Sequence, residues 1–442
     1  MGIRSTAATA SSTTSEYSMN RRTFLVSLAG LGLATATPRL VLAVEGGVGI
    51  QAVTAITQVF GNGQRLTALA LEYGSEIETA ALSADAFTVA DRTVTRVYAN
   101  TTADLSAEGS NGRFVIVELS PEDAAAPTYI QVKRDIVHKK AEASVVQAKA
   151  VKTVGGNEIA ANDTAVSNTT QKNLIVDEFK PLVYTDAKTG KSLAYNLFIP
   201  RDYDPSKRYP LVNFMHDAGV TSTEVDRTLV QGLGAVIWAD PAEQAKRPCF
   251  VVAPQFPEQF VNDQSDESPY LDLVVGLVKA VAAEYSINES RLYTTGQSGG
   301  GMLSIAINIK YPDLFAASFL VACQWAPELC KPLATDKMWV VVSAGDVKAY
   351  PGQNAIMQVL EAEGAKVSRA EWNGRVTPAD LSAAAAELEK TGGTPILYAH
   401  FATGTVHLEG QEDSPGSNHV NTWRIAYDIE HIRDWLFRQV KA

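Results

Sequence analysis

Two hydrophobic rhythms divide this chain. From about Gly49 to Lys133 apolar and polar residues alternate with a period of two, the mark of half-buried strands. Ala52 to Phe60 alternates and breaks at Gly61-Asn62-Gly63, a hairpin signal, and Leu66 to Tyr73 follows. Further strands are predicted at Ala86–Val89, Val94–Tyr98 and Arg113–Leu119. Short strands separated by polar turns predict a β-sandwich. No Cys-Trp-Cys signature is present, so an immunoglobulin likeness is one of architecture only. Residues 134–170, rich in Ala, Thr, Asn, Val and Lys, read as the last strands and a linker. From about Asn173 the rhythm changes to short apolar runs alternating with helical periodicity. Ser192–Ile199, Leu211–Met215, Phe250–Ala253, Arg291–Thr295, Ser318–Val321, Trp339–Ser343 and Ile396–Phe401 are the strand candidates. Leu271–Ala283, Gly301–Lys310, Ala355–Glu363, Pro378–Lys390 and Val420–Phe437 are the helix candidates. This alternation predicts an α/β domain with a doubly wound, mostly parallel sheet. The expected division is 44–170 for the sandwich and linker and 171–442 for the α/β domain, with no internal repeats.

Residues 1–43 read as an address. A polar Ser/Thr/Ala leader precedes Asn20-Arg21-Arg22-Thr23-Phe24-Leu25 and a mildly apolar run from Val26 to Ala34. Paired arginines, an apolar run too short to span a membrane, and the small-residue site Val41-Leu42-Ala43 fit a twin-arginine export signal. Its cleavage would leave no stable membrane insertion and a periplasmic or secreted protein. Met19 is an alternative start.

Composition narrows the function classes. Lys and Arg number 38 against 49 Asp and Glu, a net charge of -11, which argues against nucleic acid and anionic membranes as partners. The 442 residues fit two domains. The cysteines, Cys249, Cys323 and Cys330, and the six histidines show no metal-ligand spacing, so no metal and no cofactor is expected. Cys323 and Cys330 are close enough in sequence to pair; three separate thiols fit the odd count equally well.

The chemistry is carried by Gly296-Gln297-Ser298-Gly299-Gly300, a G-x-S-x-G between a predicted strand and a predicted helix. Strand, sharp turn and helix form the nucleophile elbow of α/β-hydrolases, with Ser298 as nucleophile. In this fold an acid and then a histidine follow in chain order. Asp346 ends the strand Trp339–Ser343 through a small-residue turn, a site where open α/β sheets place their chemistry. His400, His407, His419 and His431 come later. His400 lies in a strand and His431 in a helix. His419, in the loop expected ahead of the last helix, is favoured as base over His407. The oxyanion hole needs backbone N–H donors. Gly299 offers one, and Asp217 or Ala218, in the loop after Leu211–Met215, offers the other. His216 is read as a residue supporting that loop. Asp217 stands where such loops carry glycine, and its tolerance of unusual backbone angles is expected to accommodate the change.

Tyr209 to Gly219, Val252-Ala253-Pro254-Gln255, Gly296 to Gly301 and Tyr311 to Ala317 resemble the motifs of secreted bacterial esterases related to polyhydroxybutyrate depolymerases. Ile56 to Val89 is similar to the immunoglobulin-like domain that precedes the hydrolase in some members. The resemblance covers most of residues 50 to 440. It implies an α/β-hydrolase esterase with Ser298, Asp346 and His419 as triad and a small or polymeric ester as substrate. Two other readings use the same residues: a serine peptidase of the same fold, and a non-catalytic secreted binding protein that works through its sandwich. The sandwich is expected to serve structure or homo-oligomerisation.

Overall fold

The structure is a computed structural model that describes residues 49–132 and 135–441. The export signal expected in residues 1–43 lies outside them. Strands Ile50–Phe60 and Gly63–Ile77 pair antiparallel through the Gly61-Asn62 turn. Gly112–Leu119 and Val94–Asn100 extend this sheet on one side, and Thr170–Asn173 adds parallel to Ile50–Phe60 on the other. A second sheet contains Phe87–Val89, Ser144–Gln147 and Asn162–Ser167. The core between them takes alternate residues of each strand, such as Leu69, Leu71 and Tyr73 with Val115 and Val117. The sandwich sheet therefore recruits Thr170–Asn173, a strand too polar for the alternation rule to register.

The second domain is a nine-stranded sheet. Its strands are β1 (Lys180–Thr185), β2 (Ser192–Phe198), β3 (Tyr209–Met215), β4 (Phe250–Gln255), β5 (Ile287–Gln297), β6 (Ala317–Val321), β7 (Met338–Ser343), β8 (Val367–Trp372) and β9 (Ile396–Phe401). They lie in the order 1-2-4-3-5-6-7-9-8, antiparallel for the first two pairings and parallel thereafter. Both faces are covered: Val340 and Val342 of β7 point into one hydrophobic cluster, Trp339 and Val341 into the other. This explains the unbroken apolar runs. The longer helices are α1 (Leu271–Glu284), α2 (Gly299–Lys310), α3 (Ala349–Ala362), α4 (Pro378–Gly392), α5 (Pro415–Ala426) and α6 (Glu430–Arg438). The chain folds as an α/β-hydrolase preceded by a mostly β, immunoglobulin-like domain.

The helix expected over Val420–Phe437 is two helices. Tyr427 and Ile429, both fully buried, break it by turning into the core together. Arg433 answers the break by donating from Nη1 to the Tyr427 carbonyl at 2.5 Å. The first of the pair also begins earlier than its periodicity suggests. Ser414 accepts from the Ser417 N–H at 3.1 Å, Ser417 Oγ accepts from the Ser414 N–H at 2.9 Å, and Pro415 occupies the first helical position. His419 thus stands inside α5 rather than in a loop ahead of it.

The sandwich docks on the α/β domain. Its Val59 and Tyr129 belong to one of the two hydrophobic clusters against the large sheet. A Cβ at Gly61, in its first hairpin turn, would lie 2.7 Å from the Arg424 carbonyl oxygen of α5. Only glycine lets the turn approach the helix so closely.

Candidate active site

Ser298 joins β5 to α2 with φ 48° and ψ −117°, a conformation that non-glycine residues rarely adopt. The turn is held by its neighbours. The Ser298 N–H donates to the Val321 carbonyl at 2.9 Å, and the Ser298 carbonyl accepts from the Met302 N–H at 2.9 Å. A Cβ at Gly296 would stand 2.4 Å from the Gly300 carbonyl carbon, and one at Gly300 would stand 2.0 Å from the Met215 carbonyl oxygen. No side chain fits at either place, so the two glycines allow the strained serine to exist.

His419 links Ser298 to Asp346. Its Nδ1 lies 2.5 Å from Asp346 Oδ2 and its Nε2 lies 2.9 Å from Ser298 Oγ. An ionised carboxylate can only accept, so Nδ1 carries the proton and Nε2 is free to accept from the serine hydroxyl. Asp346 Oδ1 accepts from the N–H groups of Lys348 and Ala349, both at 3.0 Å. Burial works to raise the Asp346 pKa, but the bond and charge of His419 and these two amides outweigh it, and the carboxyl is held below its usual range. Trp423, one turn along α5, packs edge-on against the His419 ring at 5.1 Å between centroids. Asn418 ties the helix to the acid's loop: its Oδ1 accepts from Ser343 Oγ at 2.8 Å.

The other histidines point elsewhere. His407 Nε2 accepts from Arg375 Nη2 at 2.7 Å, His400 Nε2 lies 3.1 Å from Glu371, and His431 Nε2 lies 2.7 Å from Glu389.

Two backbone donors face the serine's turn. The N–H groups of Gly299 and Ala218 have no hydrogen-bond partner among the described residues. The Ala218 nitrogen lies 3.1 Å from where a Cβ on Gly299 would stand. Asp217, expected beside Ala218 as a donor, also contributes its side chain. It has ordinary extended angles, φ −70° and ψ 161°, so the expected demand for unusual backbone does not arise. Its carboxylate accepts from the Gly219 N–H at 2.8 Å and from Gln297 Nε2 at 3.1 Å. His216, fully buried, donates from Nδ1 to the Asp217 carbonyl at 2.7 Å, and its Nε2 accepts from the Phe256 N–H at 3.0 Å. Burial pushes its pKa down to about 4, so the ring is neutral, as this pattern requires.

Three glutamines complete the support, and sequence reasoning passed over them. Gln297 Nε2 donates to Asp217 and also to Gln231 Oε1, at 2.9 Å. Gln255 Nε2 donates to the Val220 carbonyl at 3.1 Å and lies 3.2 Å from His216 Nε2, while its Oε1 accepts from the Thr228 N–H. The available signal was position: Gln297 is the variable residue of the pentapeptide, and Gln255 ends an apolar strand. Phe260 and Val261 stand beside Gly299 and wall the site. The three cysteines are free thiols and buried.

Comparison with known proteins agrees with this architecture. Residues 52–160 match the family model of the esterase Ig-like N-terminal domain, and residues 266–373 match that of esterase PHB depolymerase. A solved thermostable esterase is similar over 88% of this chain and 100% of its own, with a TM-score of 0.74 and 28% identity. A probable feruloyl esterase C of Aspergillus terreus is 30% identical over 124 residues, which is 28% of this chain and 43% of that protein. The match thus spans less than half the length of that curated relative. By these matches residues 52–160 are similar to the esterase Ig-like N-terminal domain and residues 266–373 to esterase PHB depolymerase, in a chain of α/β-hydrolase fold.

Proposed function

We propose that this protein hydrolyses carboxylic esters through an acyl-enzyme, with Ser298 as nucleophile, His419 as general base and Asp346 as its orienting acid. The observation that carries this reading is the pair of hydrogen bonds made by His419, at Nε2 with Ser298 (2.9 Å) and at Nδ1 with Asp346 (2.5 Å). His419 takes the serine proton as Oγ attacks the ester carbonyl. The Gly299 and Ala218 N–H groups receive the developing oxyanion. His419 then gives its proton to the leaving alcohol, and the acyl-enzyme is released by water activated at the same nitrogen.

The substrate class is drawn from the relatives: aryl esters such as methyl ferulate, short acyl esters and polyhydroxybutyrate form the panel. Arg21-Arg22 and the apolar run after them support export, and no described helix is long and apolar enough to cross a membrane. The test is turnover of nitrophenyl acetate together with labelling by a fluorophosphonate. Ser298→Ala is expected to lose about 10⁶-fold in kcat and all labelling. Labelling of another residue, or turnover unchanged in Ser298→Ala, would sink the assignment.

A further inference from the structure

Residues 256–269 join β4 to α1 without helix or strand. The sequence explains why: Pro257 and Pro269 stand near the ends, and residues 262–268 are all polar. Asn262 folds the segment on itself, its Oδ1 accepting from the Gln264 and Asp266 N–H groups at 3.1 and 3.2 Å. Phe260 and Val261 are the exceptions in this polar stretch, and they are only 1% and 8% exposed. Long connections without regular structure are where folds of this kind place binding residues.

The segment is anchored on both sides of Ser298. At its start the Phe256 N–H donates to His216 Nε2 at 3.0 Å, and the Phe256 carbonyl accepts from the Ser222 N–H at 3.0 Å. The Phe256 and Phe260 rings stack at 4.0 Å between centroids, and the His216 ring meets Phe260 edge-on at 5.4 Å. Farther along, Ser265 Oγ accepts from the Ala326 N–H at 2.9 Å, beyond the end of β6. Asp263 accepts from Lys348 Nζ at 2.5 Å, and the Lys348 N–H is one of the two that hold Asp346. The strands β4, β3, β5, β6 and β7 lie side by side in that order. The segment therefore crosses their carboxyl ends as a strap, over the edge where open α/β sheets bind ligands.

Midway along the strap lies Val261. A Cβ on Gly299 would stand 3.1 Å from Val261 Cγ2, 3.2 Å from Phe260 Cζ and 3.1 Å from the Ala218 nitrogen. One small space thus borders the two proposed oxyanion donors and a Val261 methyl. An ester whose carbonyl oxygen reaches those donors brings a neighbouring group against Val261. The leaving alcohol has to lie beside His419 Nε2, which returns the proton to it. Among the described residues, the strap's bonds run to the oxyanion loop, to the loop after β6 and to Lys348, and none reaches α5. The group that meets Val261 is then the acyl group.

We propose that Val261 is a specificity-determining residue, which limits the bulk of the acyl group beside the carbonyl and favours acetyl over branched acyl groups. This rests on the esterase reading of Ser298 and adds which end of the ester is selected.

The test is kcat/KM for nitrophenyl acetate against nitrophenyl 2-methylpropanoate in the full chain. Val261→Ala should raise the ratio of branched to unbranched ester about tenfold over the wild type, the scale of a methyl-sized change in a pocket. Val261→Leu should lower it several-fold, so the reading does not depend on one variant. The ratio for isopropyl against ethyl acetate, which differ in the alcohol, should stay within twofold in both. An acyl ratio unchanged in both variants, or a shift confined to the alcohol pair, would overturn the proposal. Fluorophosphonate labelling of Ser298 is followed alongside. Labelling with an unchanged acyl ratio removes only the role of Val261, whereas an unlabelled wild type removes the esterase reading as well.

Discussion

Gln297 shows how much of the proposed oxyanion hole depends on groups that never meet substrate. It holds the Asp217 carboxylate with one amide proton and Gln231 with the other. Without it a buried carboxylate loses a donor, which costs about 1–3 kcal/mol. Because Asp217 precedes Ala218, the loss is felt at the donor amide. Gln297→Leu is therefore expected to lower kcat roughly tenfold with little change in KM. A raised KM at constant kcat would place Gln297 in substrate binding instead. His216 adds a pH dependence to the same loop. Its pKa lies at about 4 in the folded protein against an ordinary value of 6.5. As pH falls below 6.5 the unfolded chain takes up a proton that the folded ring refuses until about 4, so stability is complete above that window and is lost through it. The full loss is on the order of 3 kcal/mol. His216→Gln retains a donor and an acceptor but does not titrate. Its melting temperature should fall less between pH 6.5 and 4 than that of the wild type, which melting curves across that range would measure. Parallel slopes would remove His216 from the acid response.

At the scale of the element, α5 is the case to argue. It presents His419 from its second turn, and its start is fixed by Ser414, Pro415 and Ser417. Ser414→Ala removes the cap, a loss of about 1 kcal/mol. The melting temperature should drop by about 2–4 °C, and kcat/KM should fall with it because the cap sets where His419 stands. Unchanged values in both would show that packing of Trp423 and Asn418 positions the helix alone. The same element marks what was legible in the sequence. Elements that make up the buried sheet announced themselves, since β3, β4 and β7 are apolar runs closed by turn residues. Ser414-Pro415 was an equally local signal, yet the apolar periodicity from Val420 onward outweighed it and shifted the helix start. The break at Tyr427 was not legible, because its cause is a long-range demand: two large side chains reach one core, and Arg433 repairs the exposed carbonyl. Of the site, the residue types and their order could be read from the motif and its spacing. The glutamine scaffold could not, because its bonds join residues 66 and 80 positions apart.

At the scale of the molecule, stability is shaped by an excess of acid and by where that excess is buried. The chain carries a net charge of -11. Asp336, just ahead of β7, is half-buried and has no ion-pair partner among the described residues. Burial, together with the nearby Asp313, raises its pKa from 3.8 to about 7. The sign follows from the proton count. Below about pH 4 both the folded and unfolded chains hold the proton, and Asp336 is neutral to stability. Between about 4 and 7 the unfolded chain releases it while the folded chain keeps it, so stability falls as pH rises. Above 7 the loss is complete and constant. Asp336→Asn keeps the shape and removes the charge. Its melting temperature should exceed that of the wild type by about 2 °C or more at pH 8, and the gap should close towards pH 4. The excess charge elsewhere is the same in both proteins, so the difference isolates one buried carboxyl from the general repulsion of an acidic chain. A gap that stays constant with pH would mean that asparagine gains by a new hydrogen bond, and that Asp336 is ionised in the folded protein throughout this range.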